Sequence, residues 1–151
     1  YLDLIPGEET RSVAEHSHTF ETFLSKLNAD GQLELSFTDA EKTILVHGHC
    51  HQKALYGMGA SLDVLNLPSG YSATAIDSAC CGMAGAFGYQ RETYGVSLQM
   101  AELSLLPAIR KLPDAAVILA NGTSCRTQIV HGTSRQALHL AVLLDQRLTS
   151  N

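Results

Sequence analysis

The sequence predicts an α/β fold, a parallel sheet flanked by helices, and three observations predict it. Thr43-Ile44-Leu45-Val46, Ala73-Thr74-Ala75-Ile76 and Ala116-Val117-Ile118-Leu119-Ala120 are short runs with the apolar character of strands covered on both faces. Helical patterns separate them, and alternation of strand and helix indicates a parallel sheet. Each run is followed within five residues by a loop that carries cysteine.

Taken in order, residues 1–11 contain Pro6 and Gly7 and read as an entry segment. Ser12 with Glu15 matches a capping box, and Val13, Phe20, Phe23, Leu24 and Leu27 continue near helical spacing until Asn28, Asp30 and Gly31. Leu33, Leu35 and Phe37 alternate with polar residues, as in a short strand. Residues 1–40 are thus expected to form an N-terminal helix and short strand packing on a cysteine-rich domain of residues 41–151. Within that domain, Thr43–Val46 is the first strand and residues 51–59 form a helix weakened by Gly57 and Gly59. Leu62, Val64, Leu65 and Leu67, ahead of Pro68-Ser69-Gly70, suggest a further short strand and turn. Ala73–Ile76 is a strand, residues 89–111 a long helix broken near Pro107, and Ala116–Ala120 the strongest strand. Residues 125–131 and 134–148 read as closing helices.

With 151 residues, one domain is the default. No apolar run approaches the roughly 20 residues of a membrane helix. The chain lacks an initiator Met and a signal-type opening, so it is expected to be a piece of a longer, cytoplasmic protein or a chain whose start is missing. Ten Lys and Arg against fifteen Asp and Glu give a net charge of −5, and no basic cluster carries interleaved aromatics. A phosphate backbone is therefore not the expected partner. Four cysteines in a chain this large and apolar, without a secretion signal, point to metal or redox chemistry rather than disulfides.

The positions of those cysteines carry the functional reading. Cys50 follows the first strand, Cys80 and Cys81 the Ala73–Ile76 strand, and Cys125 the Ala116–Ala120 strand. In a parallel sheet the carboxyl ends of the strands share one edge, where open α/β proteins build their sites. Cysteines separated by 29 and 43 intervening residues are thereby expected to meet at one site. Adjacent cysteines can face one centre only if the backbone turns, which Gly82 permits. Helices starting after each loop would lower thiol pKa and favour thiolate.

Several residues have competing readings. A buried cysteine is often only a small hydrophobe, more so for Cys125 than for the Gly-flanked Cys80 and Cys81. His49 and His51 are candidate metal ligands or outer hydrogen-bond partners of the ligands. Gly82-Met83-Ala84-Gly85-Ala86-Phe87-Gly88 lacks the spacing and acidic partner of a dinucleotide fingerprint. Asn121-Gly122-Thr123 matches a glycosylation sequon by chance. Arg126 is a thiolate neighbour, a contact for a substrate carboxylate or an ordinary helix-start surface arginine, and Asp77 and Glu102 read as surface or capping residues. No catalytic residue is assigned.

Three ordered motifs resemble those of the cysteine-rich (CCG) domain family: Val46-His47-Gly48-His49-Cys50-His51-Gln52-Lys53-Ala54, Cys80-Cys81-Gly82-Met83-Ala84-Gly85-Ala86-Phe87-Gly88-Tyr89 and Asn121-Gly122-Thr123-Ser124-Cys125-Arg126-Thr127-Gln128-Ile129. Their wording is most similar to the carboxyl-terminal region of FAD-linked oxidases, which resemble D-lactate or D-2-hydroxyglutarate dehydrogenases fused to an iron–sulfur segment. The family includes iron–sulfur subunits of glycolate oxidase and anaerobic glycerol-3-phosphate dehydrogenase and a heterodisulfide reductase subunit. The resemblance implies an electron-transfer module holding a 4Fe-4S cluster through Cys50, Cys80, Cys81 and Cys125, or a structural zinc domain docking flavin-binding and ferredoxin-like parts. It implies FAD in the parent chain but not in this segment, and allows peripheral attachment to the inner membrane through the parent enzyme. A metal-free redox site on Cys80–Cys81 leaves the other motifs unexplained. The fullest family pattern closes with Cys-x-x-Cys and five cysteines for a non-cubane cluster; here Gly122 stands at the first of that pair. The segment is not a complete catalyst: it has no flavin motif and no Cys-x-x-Cys-x-x-Cys run.

Overall fold

The apolar runs form a four-stranded sheet, seen in a computed structural model that describes residues 2–149. Tyr1, Ser150 and Asn151, at the outer limits of the two expected segments, lie outside the described residues. The strands are β1 (Lys42–His47), β2 (Tyr71–Ala75), β3 (Val117–Ala120) and β4 (Ala137–Leu138). All pairings are parallel, in the order β2-β1-β3-β4. The expected fold class is therefore the observed one. β4 is additional: its two residues pair with Ile118 and Leu119 inside the segment expected to run into a closing helix.

Alternation along the strands separates two cores. Ile44 and Val46 of β1 and Leu119 of β3 face one side with Val64, Leu65, Leu140, Leu143 and Leu144. Ile118 and Ala120 of β3 face the other with Leu105, Leu106, Ile109 and Ile129. The sheet is thus a middle layer. On the first side lie α2 (Phe20–Ala29), α4 (Gly59–Leu65) and α8 (Leu140–Asp145). On the second lie α5 (Tyr94–Glu102), α6 (Leu105–Arg110) and α7 (Thr123–Thr133). Leu119 is fully buried at the centre of this arrangement. Leu119→Ala is expected to cost about 2–5 kcal/mol, the range for a buried Leu truncation, measured by denaturant unfolding.

Several expected elements are corrected. The N-terminal helix is two, α1 (Glu8–Glu15) and α2, because Thr19 caps the second: its Oγ1 accepts from Thr22 N at 3.3 Å. Ser12 lies inside α1 rather than at its cap. Leu33–Phe37 is no strand; only Phe37 forms an isolated antiparallel bridge, to Leu148. Leu62–Leu67 contributes to helix α4 rather than to a strand, burying Val64 and Leu65 completely. The helix after β1, α3 (Cys50–Leu55), stops before Gly57, whose φ is 71°. The long 89–111 helix breaks at Leu103–Ser104, ahead of Pro107, which sits in the first turn of α6 where its missing N–H costs no bond. Among the described residues no helix is long and apolar enough to cross a membrane.

Candidate metal centre

The chain leaves β1 and β3, which are neighbours, towards opposite faces of the sheet: α4 packs on one core and α7 on the other. That divergence opens a crevice at the carboxyl ends, the usual ligand position in open α/β sheets. Cys50 is the first residue of α3, just past β1, and Cys125 lies in the first turn of α7, just past β3. Cys80 and Cys81 occupy the loop after β2. Helices begin at two of the three loops; after Cys81 the chain instead runs through a loop and one 3-10 turn, Phe87–Tyr89, correcting the expectation of a helix at each.

All four thiols are free and clustered in two contacts. Cys81 and Cys125 lie within 4.8 Å of each other, and Cys80 feels Cys50 beside it. Cys81 and Cys125 are buried, at 5% and 1% exposure; Cys50 and Cys80 are half-buried. The charges of Cys50 and Cys80 are felt at Cys125, so the two pairs form one electrostatic unit. The turn that presents both members of the pair to this site is made at Gly82, whose φ is 85°. A Cβ there would stand 2.2 Å from Ser97 O, so the position is closed to side chains by packing as well as by torsion. Gly82 N also donates to Cys80 Sγ at 3.3 Å.

Ties between the loops hold them in register. Lys53 of α3 donates through Nζ to the carbonyls of Ser78 and Ala79, just ahead of Cys80. The buried Gln128, one turn past Cys125, donates through Nε2 to Ser97 O at 2.9 Å and Ser97 Oγ at 3.0 Å, and so joins α7 to the helix that Gly82 touches. Arg126 turns back to the end of β3, donating to Ala120 O at 2.9 Å and Asn121 O at 2.7 Å. It therefore braces the strand-to-helix turn rather than contacting a thiolate. Asn121 is engaged on both sides of its amide, donating to the buried Glu21 and accepting from Leu140 N. Glu102 pairs with Arg110 at 2.6 Å on the surface, and Asp77 is exposed.

The third close partner of the buried thiols is His47, the last residue of β1. One nitrogen or sulfur atom from each of His47, Cys81 and Cys125 lies within 4.8 Å of the others. His47 is 1% exposed; its Nδ1 is hydrogen-bonded to Ser78 Oγ at 2.9 Å, and its Nε2 has no hydrogen-bond partner among the described residues. The sequence points to His49 and His51 as nitrogen donors, and His47 is not among its candidates. His51 is exposed, and His49 packs against it, ring edge to face, at 5.4 Å. His49 covers Gly122: a Cβ at 122 would sit 2.7 Å from His49 Cδ2 and 3.0 Å from Cys125 Sγ. The imidazole thus stands where a fifth cysteine's side chain would enter. Gly122→Cys alone is expected to clash and leave metal content unchanged or lower, whereas Gly122→Cys with His49→Gly makes room for a fifth thiol, counted by thiol titration and metal analysis.

The electrostatics divide one proton between the buried pair. Interaction with the Cys125 thiol, helped by His47 and the Met83 N–H, lowers the Cys81 thiol from 9.0 to about 4 against the opposing effect of burial. The same interaction and burial push Cys125 up, so it keeps its proton. Burial, together with the charges of Cys81 and Cys50, also raises Cys80. The depressed group stabilises the fold fully above the unfolded value of 9.0, and that contribution fades as pH falls through about 4. Metal-free protein is therefore expected to show thiolate absorbance in the ultraviolet at neutral pH that disappears on acidification towards pH 4. It should be absent in Cys81→Ser.

No protein-family model matches the chain, and no solved structure does. Curated relatives do match. The chain is 29% identical over 107 residues, 70% of its length, to one of the subunits of the anaerobic glycerol-3-phosphate dehydrogenase of Escherichia coli strain K12. It is 37% identical over 89 residues, 57% of its length, to the D-2-hydroxyglutarate dehydrogenase of the same strain. With the D-2-hydroxyglutarate dehydrogenase of Pantoea ananatis it shares 34% over 97 residues, 64% of its length. It spans 26% of the first relative and 9% of each of the others. The resemblance carried by the three cysteine motifs is thereby borne out: this chain is related to a segment of D-2-hydroxyglutarate dehydrogenase and of an anaerobic glycerol-3-phosphate dehydrogenase subunit.

Proposed function

We propose that this segment is the iron–sulfur electron-transfer domain of a larger FAD-linked, 2-hydroxyacid-type oxidoreductase, its cluster held by Cys50, Cys80, Cys81 and Cys125. The observation that carries the reading is that Cys81 and Cys125 are buried close together beside His47, with the free thiols of Cys50 and Cys80 near enough for their charges to reach Cys125. Relatedness to two dehydrogenases supports the oxidoreductase setting. The donor set fits an iron–sulfur group, which takes thiolates and has its potential tuned by burial and nearby N–H donors. When bound, such a group supplies one-electron transfer. The chain's own part is to present Cys81 already deprotonated, to shield Cys81 and Cys125 from water, and to aim the Gly82 and Met83 N–H groups at the sulfurs. Flavin-binding and ferredoxin-like domains of the parent chain are the electron partners in this reading.

A second reading is favoured by one observation. His47, Cys81 and Cys125 each bring one donor atom within 4.8 Å of the others, close enough to share a single ion, and a closed tetrahedral site of nitrogen and sulfur donors suits structural zinc. Anaerobic purification of the parent chain, with metal and sulfide analysis and a visible spectrum, separates the two. Iron and sulfide with brown absorbance support electron transfer. Stoichiometric zinc without colour supports the docking role, and protein with neither metal rejects both.

A further inference from the structure

We infer that His47 supplies a nitrogen ligand, through Nε2, to the metal centre formed by the cysteines, so that the centre has mixed nitrogen and sulfur coordination. This rests on reading the segment as a metal-binding domain and goes beyond it by adding a donor from within β1.

The first argument is an unpaired buried atom. His47 is 1% exposed, and its Nε2 lacks a hydrogen-bond partner among the described residues. Leaving such a group unsatisfied is costly, and a bound ion is one of the few explanations for such an atom in a native fold. The second is direction. Residues at positions 45 and 47 face the side of the sheet opposite to Ile44 and Val46, the side on which Cys81 and Cys125 are buried. The imidazole therefore points at the sulfurs, within 4.8 Å of both. The third is the opposite nitrogen. A ligating histidine usually engages its other ring nitrogen with a fixed polar group, which sets the tautomer. Here that partner is the buried Ser78 Oγ, at 2.9 Å from Nδ1. With Nδ1 carrying the proton and Ser78 accepting it, Nε2 presents a bare lone pair. Ser78 is itself anchored, since its carbonyl accepts from Lys53 Nζ.

The alternative role for the same atom is a hydrogen bond from Nε2–H to the Cys81 thiolate, which requires the other tautomer. The test distinguishes them on the wild-type parent chain. Protein labelled with 15N-histidine and purified anaerobically would be examined by pulsed electron paramagnetic resonance of the reduced iron centre, or by X-ray absorption if it carries zinc. Directly bound histidine nitrogen is expected, seen as strong hyperfine coupling that changes with the label, or as one nitrogen in the zinc shell. The signal should vanish in His47→Gln and persist in His49→Gln and His51→Gln. Metal retention in His47→Gln should fall by at least the roughly 10–100-fold seen on losing an outer partner of a ligand. His47→Cys should keep metal while losing the nitrogen signature. All-sulfur coordination in the wild type, or a nitrogen signal surviving in His47→Gln, overturns the inference while leaving the metal domain intact. Wild-type protein without iron or zinc overturns both. The wild-type measurement needs no variant, so a substituted chain that fails to fold does not blunt it.

Discussion

Cys125→Ser is expected to lower metal affinity by more than about 100-fold, beyond the usual loss from removing an outer partner, while leaving the metal-free fold nearly as stable as before. The first half follows from chemistry: serine offers a hard, protonated oxygen where iron and zinc centres of this kind take soft thiolate. It follows also from position, because Cys125 is 1% exposed and joins the Cys81 contact to the Cys50–Cys80 pair. The second half follows from size and bonding. A serine hydroxyl is smaller than a thiol, so it fits the site, and it can donate to the neighbouring Cys81 thiolate. Metal analysis paired with denaturant unfolding checks the prediction. Full metal retention by the serine variant would mean that Cys125 packs as a small hydrophobe and takes no part in a shared centre.

Gly82→Ala should be the most damaging single-methyl insertion in the cysteine loops. A φ of 85° disfavours any L side chain, at about 1–3 kcal/mol. The new Cβ also meets Ser97 O at 2.2 Å and Met100 Cβ at 3.1 Å, and overpacking of this kind adds about 1–3 kcal/mol. A combined loss of about 2–6 kcal/mol corresponds to a fall of about 4–24 °C in Tm for a chain of this length. Gly85 gives the control. Its φ is 52° and no described residue comes within 4 Å of the added Cβ, so Gly85→Ala carries the torsional cost alone, about 1 kcal/mol. If both variants melt together, the contact with Ser97 is not what holds the double-cysteine turn.

The sheet was legible because β1 and β3 are covered on both faces, which forces unbroken apolar runs such as Thr43–Val46 and Ala116–Ala120 into the sequence. The meeting of the cysteine loops followed from parallel topology. Other elements were not legible for identifiable reasons. Leu62, Val64 and Leu65 fit a helix face as well as a strand over so short a stretch, and Pro68-Ser69-Gly70 ends either element. Leu33–Phe37 alternates properly but finds only Leu148 to pair with. β4 is two residues long, too short for any periodic signal. His47 is hard to single out because two further histidines stand in the loop beside Cys50. It sits one step inside, at the end of a strand whose other inward positions are apolar. A polar residue completing a buried alternation was the available clue.

The strand order β2-β1-β3-β4 also sets a timetable. On the ribosome, β1 emerges first with His47 and Cys50, and β2 brings Cys80 and Cys81 to one of its edges. The other edge of β1 stays bare until β3 arrives, and Cys125 comes only after that. For the whole of that interval Cys50 and Cys80 can lie side by side without the buried half of their site. An oxidant met during synthesis would find those two thiols first. The crevice is therefore completed last, when β3 pairs with the free edge of β1.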